Sequence, residues 1–180
     1  MYSGLFHAIH QTRSLGEMQI MPEDFIRLSQ YPSTFFLTAT YHSQVFGALF
    51  GVKLTSEATK RYLTGSLTPD MFTPEDIATN EEVGYFASIL FFSYSKYVGE
   101  ELLMRMYAHL IEHQETILGV GAHLALEETR RFVARLGLEA DTNAKVASDK
   151  LYFHHSSLPH ILAQPIVLDM VFLPTSKDRR

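Results

Sequence analysis

Two hydrophobic runs constrain this chain more than anything else in it. Val83–Phe92 and Ile117–Leu124 are almost continuously apolar, and each leads into a segment with helical periodicity. A strand with apolar residues on both faces is a strand covered on both faces. Over Gly99–Gln114, residues Leu102, Leu103, Met106, Tyr107, Leu110 and Ile111 form one apolar stripe. Over Leu126–Leu136, Phe132, Val133 and Leu136 do the same, and Gly137 supplies the stop. Strand, helix, strand, helix at this spacing predicts neighbouring parallel strands joined by a right-handed crossover. The helix opening at Gly99 leaves free backbone N–H groups at its start, where a phosphate can sit.

The rest of the chain fits around that unit. Pro22-Glu23-Asp24 begins a helix that Tyr31-Pro32 ends. Thr34–Tyr41 and Val45–Leu54 read as a hairpin, in which Gly47 and Gly51 mark a bulge or a close backbone approach. Residues 55–80 form an irregular insert with two short helix starts, one at Thr55 or Ser56 and one at Thr73-Pro74. Such an insert serves function or is a surface excursion. Leu151–His155 and Ile166–Leu173 read as strands. Residues 1–20 are weakly patterned, with a short strand at Leu5–Ile9. The expectation is one α/β domain over residues 1–180, a mixed central sheet flanked by helices.

Composition excludes several function classes. The chain has no cysteine, which removes disulfides, thiolate metal sites and cysteine nucleophiles. A net charge of −5 without a basic stripe argues against nucleic-acid binding. No apolar run reaches the ~18 residues of a membrane span. The N-terminus lacks the pattern of a secretory signal. The expected location is the cytoplasm.

Three segments carry a resemblance to a known family. Tyr41–Val52 (YHSQVFGALFGV) has a polar turn before a glycine-containing hydrophobic strand. Val98–His113 (VGEELLMRMYAHLIEH) resembles a helix that follows a pyrophosphate-binding loop. Glu127–Glu139 (EETRRFVARLGLE) resembles a helix ending in a basic-Leu-Gly-apolar turn. In this order they resemble a divergent member of the Gcn5-related N-acetyltransferase superfamily, the acyl-CoA N-acyltransferases, from about residue 20 to 174.

That resemblance implies acyl transfer from acetyl-CoA or a longer acyl-CoA to an amine, on a small molecule or a protein, with room for a homodimer. It implies a cofactor cradle of Phe91, Phe92, Ser93, Lys96, Tyr97, Val98, Gly99 and Glu100. Amide groups at the end of Val83–Phe92 would polarise the thioester carbonyl. The family's loop pattern is incomplete here. Lys96-x-x-Gly99-x-Glu101 is one alignment, and Glu100 and Glu101 would repel a pyrophosphate. The family often places a carboxylate near the start of the fourth strand as general base, a position taken by Glu82, beside Glu81. Its tyrosine acid falls on Val133, so the residue is absent, and Tyr152 is a substitute candidate.

His109-Leu110-Ile111-Glu112-His113 matches H-x-x-E-H, a zinc-hydrolase pattern in which two histidines share a helix face and the glutamate acts as base. No third ligand is evident, so no metal is expected. His154-His155 and His160 form a second cluster, but strand neighbours point to opposite faces. The phenylalanines of the strands read as core. Two alternatives to acyl transfer remain open: a non-catalytic ligand- or protein-binding domain of the same fold, and a metal hydrolase on His109, Glu112 and His113.

Overall fold

A β-rich, β-branched and aromatic stretch makes the first hairpin: β1 (Thr34–Tyr41) pairs antiparallel with β2 (Gln44–Thr55). The computed structural model describes residues 22–42, 44–124, 127–140 and 152–172. In chain order the other elements are α1 (Pro22–Leu28), α2 (Ser56–Leu63), β3 (Gly84–Ser93), α3 (Lys96–Glu112), β4 (Ile117–Leu124), α4 (Glu127–Arg135), β5 (Glu139–Ala140), β6 (Tyr152–Ser157), α5 (Leu158–Leu162) and α6 (Pro165–Phe172). The strands form one sheet in the order β1-β2-β3-β4-β6-β5. Among the described strands only β3 and β4 pair in parallel, and α3 connects them.

Each face of the sheet has its own core. Ala48, Phe50, Val52 and Leu54 of β2 face α1, α2 and the segment after it, where Phe25, Leu28, Tyr62, Leu67 and Phe72 are buried. Residues 55–80 therefore cover one face of the sheet. Thr55 caps α2 through Ala58 N, and Asp76 caps the turn at Thr73 and pairs with Arg61 at 3.1 Å. The opposite face, with Leu49, Phe86, Val120 and Leu124, takes the apolar stripe of α3 together with α4, α5 and α6.

The glycines of β2 mark close approaches. A Cβ at Gly51 would lie 2.2 Å from Phe86 Cζ, and one at Gly47 would lie 2.8 Å from Val98 Cγ1 of α3. Bulges accompany them: the β1–β2 register shifts between Ala39 and Thr40, and the β2–β3 register shifts opposite Phe50 and Gly51.

Two expectations are corrected. Ile166–Leu173 is not a strand: its described part lies in helix α6, which starts at Pro165. The crossover helix begins at Lys96, three residues before Gly99, because Ser95 caps it by accepting from Val98 N at 3.2 Å. The expectation for Leu5–Ile9 lies outside the described residues.

Candidate active site

β3 and β4 pair from Gly84↔Ile117 to Ser88↔Ala122 and then part. β3 continues for five residues beyond Ser88, hydrogen-bonded only toward β2 in the sheet, while β4 continues for His123 and Leu124 beside β6. The register shift on β3 falls at the same point: Phe50 opposes Leu90 and Gly51 opposes Ser88, so Ile89 is an extra residue. An extra residue bends its strand and interrupts the ladder. The pairing of β3 with β4 ends at this point, which makes a fork in the ladder.

The fork opens onto a cavity of about 100 Å³, the larger of two described. Its walls come from Phe91 on β3, Leu103 and Tyr107 on α3, Leu124 on β4, and Phe132 and Leu136 on α4. Phe91 and Phe132 stack across it, centroids 6.0 Å apart and planes 9° apart. The wall is held in place by the end of α4. Gly137 has φ +88°, Leu138 N bonds Val133 O at 3.1 Å, and a Cβ on Gly137 would strike Gln164 Cγ at 2.6 Å. This glycine stop folds the chain back so that Leu138 joins the cavity lining.

The cradle residues divide by position. Phe91 lines the cavity, whereas Phe92 packs on the opposite core. Ser93 Oγ bonds the Ser95 backbone, fixing the turn into α3. Val98 packs beneath Gly47, and Gly99 is buried with its N–H bonded to Ser95 O at 3.0 Å. The N–H groups of Lys96 and Tyr97 precede the first intrahelical bond, so the open donors of this terminus come one turn earlier than Gly99. Tyr97 is 79% exposed. Lys96 reaches Glu100 at 3.6 Å and Glu101 reaches Arg105 at 2.8 Å, so both carboxylates of this turn have cationic neighbours.

Glu82 stands apart from this group. Its carboxylate accepts from Thr79 N at 2.7 Å, and its own N–H bonds Thr79 Oγ1 at 3.3 Å. These bonds to Thr79 hold its pKa below the usual carboxylate range. Gly84 is already about 13 Å along the strand from Ser88, and Glu82 lies beyond it. The backbone of Tyr152 pairs with Leu124 at the outer end of the β4 arm.

The histidine pattern lies at the far end of α3. His109 stacks on Phe35 at 4.3 Å, and its ring is 4.5 Å from that of His113, the residue that caps the helix C-terminus. Burial, with help from His113, lowers the His109 pKa to about 4. Among the described residues no group of three metal-ligating side chains forms. Nearby, Lys53 is 3% exposed and donates to Asn80 O at 2.9 Å and Thr116 Oγ1 at 3.2 Å. A lysine inside a hydrophobic strand gave no sequence signal for this role, which is to tie β2 to the turns before β3 and β4. In the second cluster, His154 is buried and His155 is half-buried, as alternation requires.

A sheet whose two parallel strands fork over an apolar cavity, flanked by helices, is an acyl-CoA N-acyltransferase-like fold. The chain is similar to the structure of FeeM, an N-acyl amino acid synthase from uncultured soil microbes, with a TM-score of 0.57 and 10% identity over 86% of this chain and 83% of that one. A structure of a bacterial toxin is similar over 67% of this chain and 64% of that one, at 22% identity and a TM-score of 0.43. No family model matches the chain, and no curated protein matches it in sequence. Among the described residues, no helix is long and apolar enough to cross a membrane.

Proposed function

We propose that this chain transfers an acyl group from a thioester donor of the acyl-CoA type to an amine. The fork of β3 and β4 over the apolar cavity carries the reading. An acyl chain can enter between the strands without breaking a ladder, because the ladder has already ended. The backbone of Ile89–Ser93 offers amides to the donor's own amide-bearing arm on the side that β4 has left. The N–H groups of Lys96 and Tyr97 face the phosphate end, and the Lys96 side chain adds a cation there. The amine then attacks the carbonyl carbon directly, the thiolate leaves, and the amine's proton passes to solvent or to the thiolate. The likeness to an N-acyl amino acid synthase supports the fold on which this chemistry runs.

The test is a panel of acyl-CoA thioesters from acetyl to palmitoyl, read by thermal shift and by release of free thiol with an amine present. A bound donor should raise Tm with its concentration, by an amount equivalent to about 2.7 kcal/mol at a hundredfold excess over Kd. Longer chains should act at lower concentration, since each buried CH₂ contributes about 0.8 kcal/mol. No shift with any thioester would overturn the reading.

A second reading, a non-catalytic binding domain of the same fold, is favoured by one observation. Glu100 and Glu101 stand in the early turns of α3, where a pyrophosphate would approach. Donor binding without thiol release in any amine panel would support it.

A further inference from the structure

The cavity wall is mostly apolar, and it contains one buried oxygen without a partner among the described residues. Tyr107 lies on the inward stripe of α3, is 1% exposed and lines the cavity. Its hydroxyl is buried and has no hydrogen-bond partner among the described residues. Buried polar groups are nearly always satisfied, and one left open is destabilising. A hydroxyl left open beside a cavity has its bonding capacity available to whatever fills that cavity.

Depth identifies the partner. From Lys96 to Tyr107 is 11 residues, about 16 Å along the helix axis. From Ser93 back to Ser88 is five residues, about 16 Å along the strand. Tyr107 therefore stands level with Ser88, at the floor of the fork where pairing with Ala122 ends. A phosphopantetheine arm has about thirteen bonds from phosphorus to sulfur and spans about 15 Å when stretched like peptide backbone. With its phosphate at the start of α3, its thioester reaches that floor.

Two other polar side chains, His123 and Ser88, line the cavity near its floor. The ring of His123 turns to the other face of the sheet, onto Tyr62, with Nε2 bonded to the Tyr62 carbonyl at 2.8 Å. Ser88 is half-buried and shares the face of Phe86, two residues before it, toward α3.

We propose that the Tyr107 hydroxyl donates a hydrogen bond to the thioester carbonyl of the acyl donor and stabilises the charge that builds on that oxygen during attack. The inference rests on the acyl-transfer reading above. In the step, the amine nitrogen forms a bond to the carbonyl carbon and the C–S bond breaks with its electron pair going to sulfur. The amine's proton leaves to the thiolate or to water. Tyr107 keeps its proton throughout, and burial, which raises its pKa, favours that role. Helix α3 thus supplies a hydroxyl from the wall opposite Val133, where the resembling family carries its tyrosine.

Tyr107→Phe removes the oxygen and keeps the ring. With the hydroxyl open in the free protein, the variant's Tm should equal or exceed that of wild type. Its kcat should fall by about 100-fold, the usual cost of removing one donor to a developing oxyanion, with a smaller change in KM for the thioester. The carbonyl stretch of a bound, isotope-labelled acyl thioester should shift to lower frequency in wild type and lose that shift in the variant. A lower Tm for Tyr107→Phe would show that the hydroxyl is already bonded in the free protein and would overturn the assignment. Normal kcat and an unshifted stretch in a wild type that binds and transfers would remove the tyrosine's role and leave the acyl-transfer reading standing. Failure of wild type to bind any acyl thioester would remove both.

Discussion

Acid should loosen the strand that carries the cleft, and His123 is the group through which it acts. The ring lies face to face on Tyr62, centroids 3.8 Å apart, and donates from Nε2 to the Tyr62 carbonyl at 2.8 Å. Burial lowers its pKa to about 4, against the pull of that carbonyl, which favours the protonated ring. An unfolded chain takes the same proton near pH 6.5. Between those values the unfolded state binds more protons than the folded one. Stability is therefore full above about pH 6.5, falls as pH falls toward 4, and is level below that. The whole loss is about 3 kcal/mol, of which about 2 kcal/mol falls between pH 7 and pH 5. That is a large share of the 5–15 kcal/mol typical of a domain. His123→Phe keeps the stacked ring, removes the titration and leaves the Tyr62 carbonyl without this bond, a cost of about 1 kcal/mol. The variant should be the less stable protein at pH 7 and the equal or better one at pH 5. Urea unfolding followed by circular dichroism at both values measures the difference, and carboxylate contributions common to both proteins cancel. A gap between wild type and variant that is the same at both pH values would refute the reasoning.

Gly51→Ala should lower the urea midpoint at unchanged slope, by about 1–3 kcal/mol or more, because the new methyl meets Phe86 Cζ at 2.2 Å. Partial rescue by Phe86→Leu would confirm that the clash is with that ring. Gly99→Ala should be neutral or raise Tm, since helix propensity favours Ala by about 1 kcal/mol and the nearest atoms, those of the Ser93 side chain, are 3.4 Å away. A marked loss of stability would mean that α3 cannot give way at its start. Glu82→Gln should leave acyl transfer near wild type, because the carboxylate caps Thr79 far from the fork. A strong drop in turnover with the donor still bound would identify it as the general base.

The fold was legible wherever burial alone dictates sequence. The apolar runs at Val83–Phe92 and Ile117–Leu124 have few other uses than central strands, and β3 and β4 are the two middle strands of the sheet. The glycines of β2 were legible as crowding, although not as crowding by Phe86 and Val98 in particular. Where two elements bury the same residues, the pattern failed. Ile166–Leu173 is as apolar as a strand, and only Pro165, well suited to the first turn of a helix, separates the two readings. The start of α3 failed for a related reason. Gly99 reads as a boundary by its residue type, but Ser95 sets the boundary by its side-chain bond to Val98 N.

The site divides along the same line. The ends of the cleft were visible because they depend on local signals, the strand-to-helix turn near Ser93 and the glycine stop at Gly137. Its floor was not, because it depends on where a ladder ends. Nothing in the composition of β3 announces that Ile89 is an extra residue, since the register is set against β2, where the shift falls beside Gly51, against which Phe86 packs. Tyr107 was concealed differently. Helical periodicity counts a tyrosine by its ring, and the ring does belong to the buried stripe of α3. The six-atom ring places it in the core, and the single oxygen gives it chemistry. A sequence pattern that sorts side chains into apolar and polar sees only the first. The tyrosine expected on α4 is a valine at Val133, and the tyrosine that lines the cavity is Tyr107 on α3, the other helix that walls the fork. Position in the fork, rather than position in the chain, is what a search for the missing donor must follow.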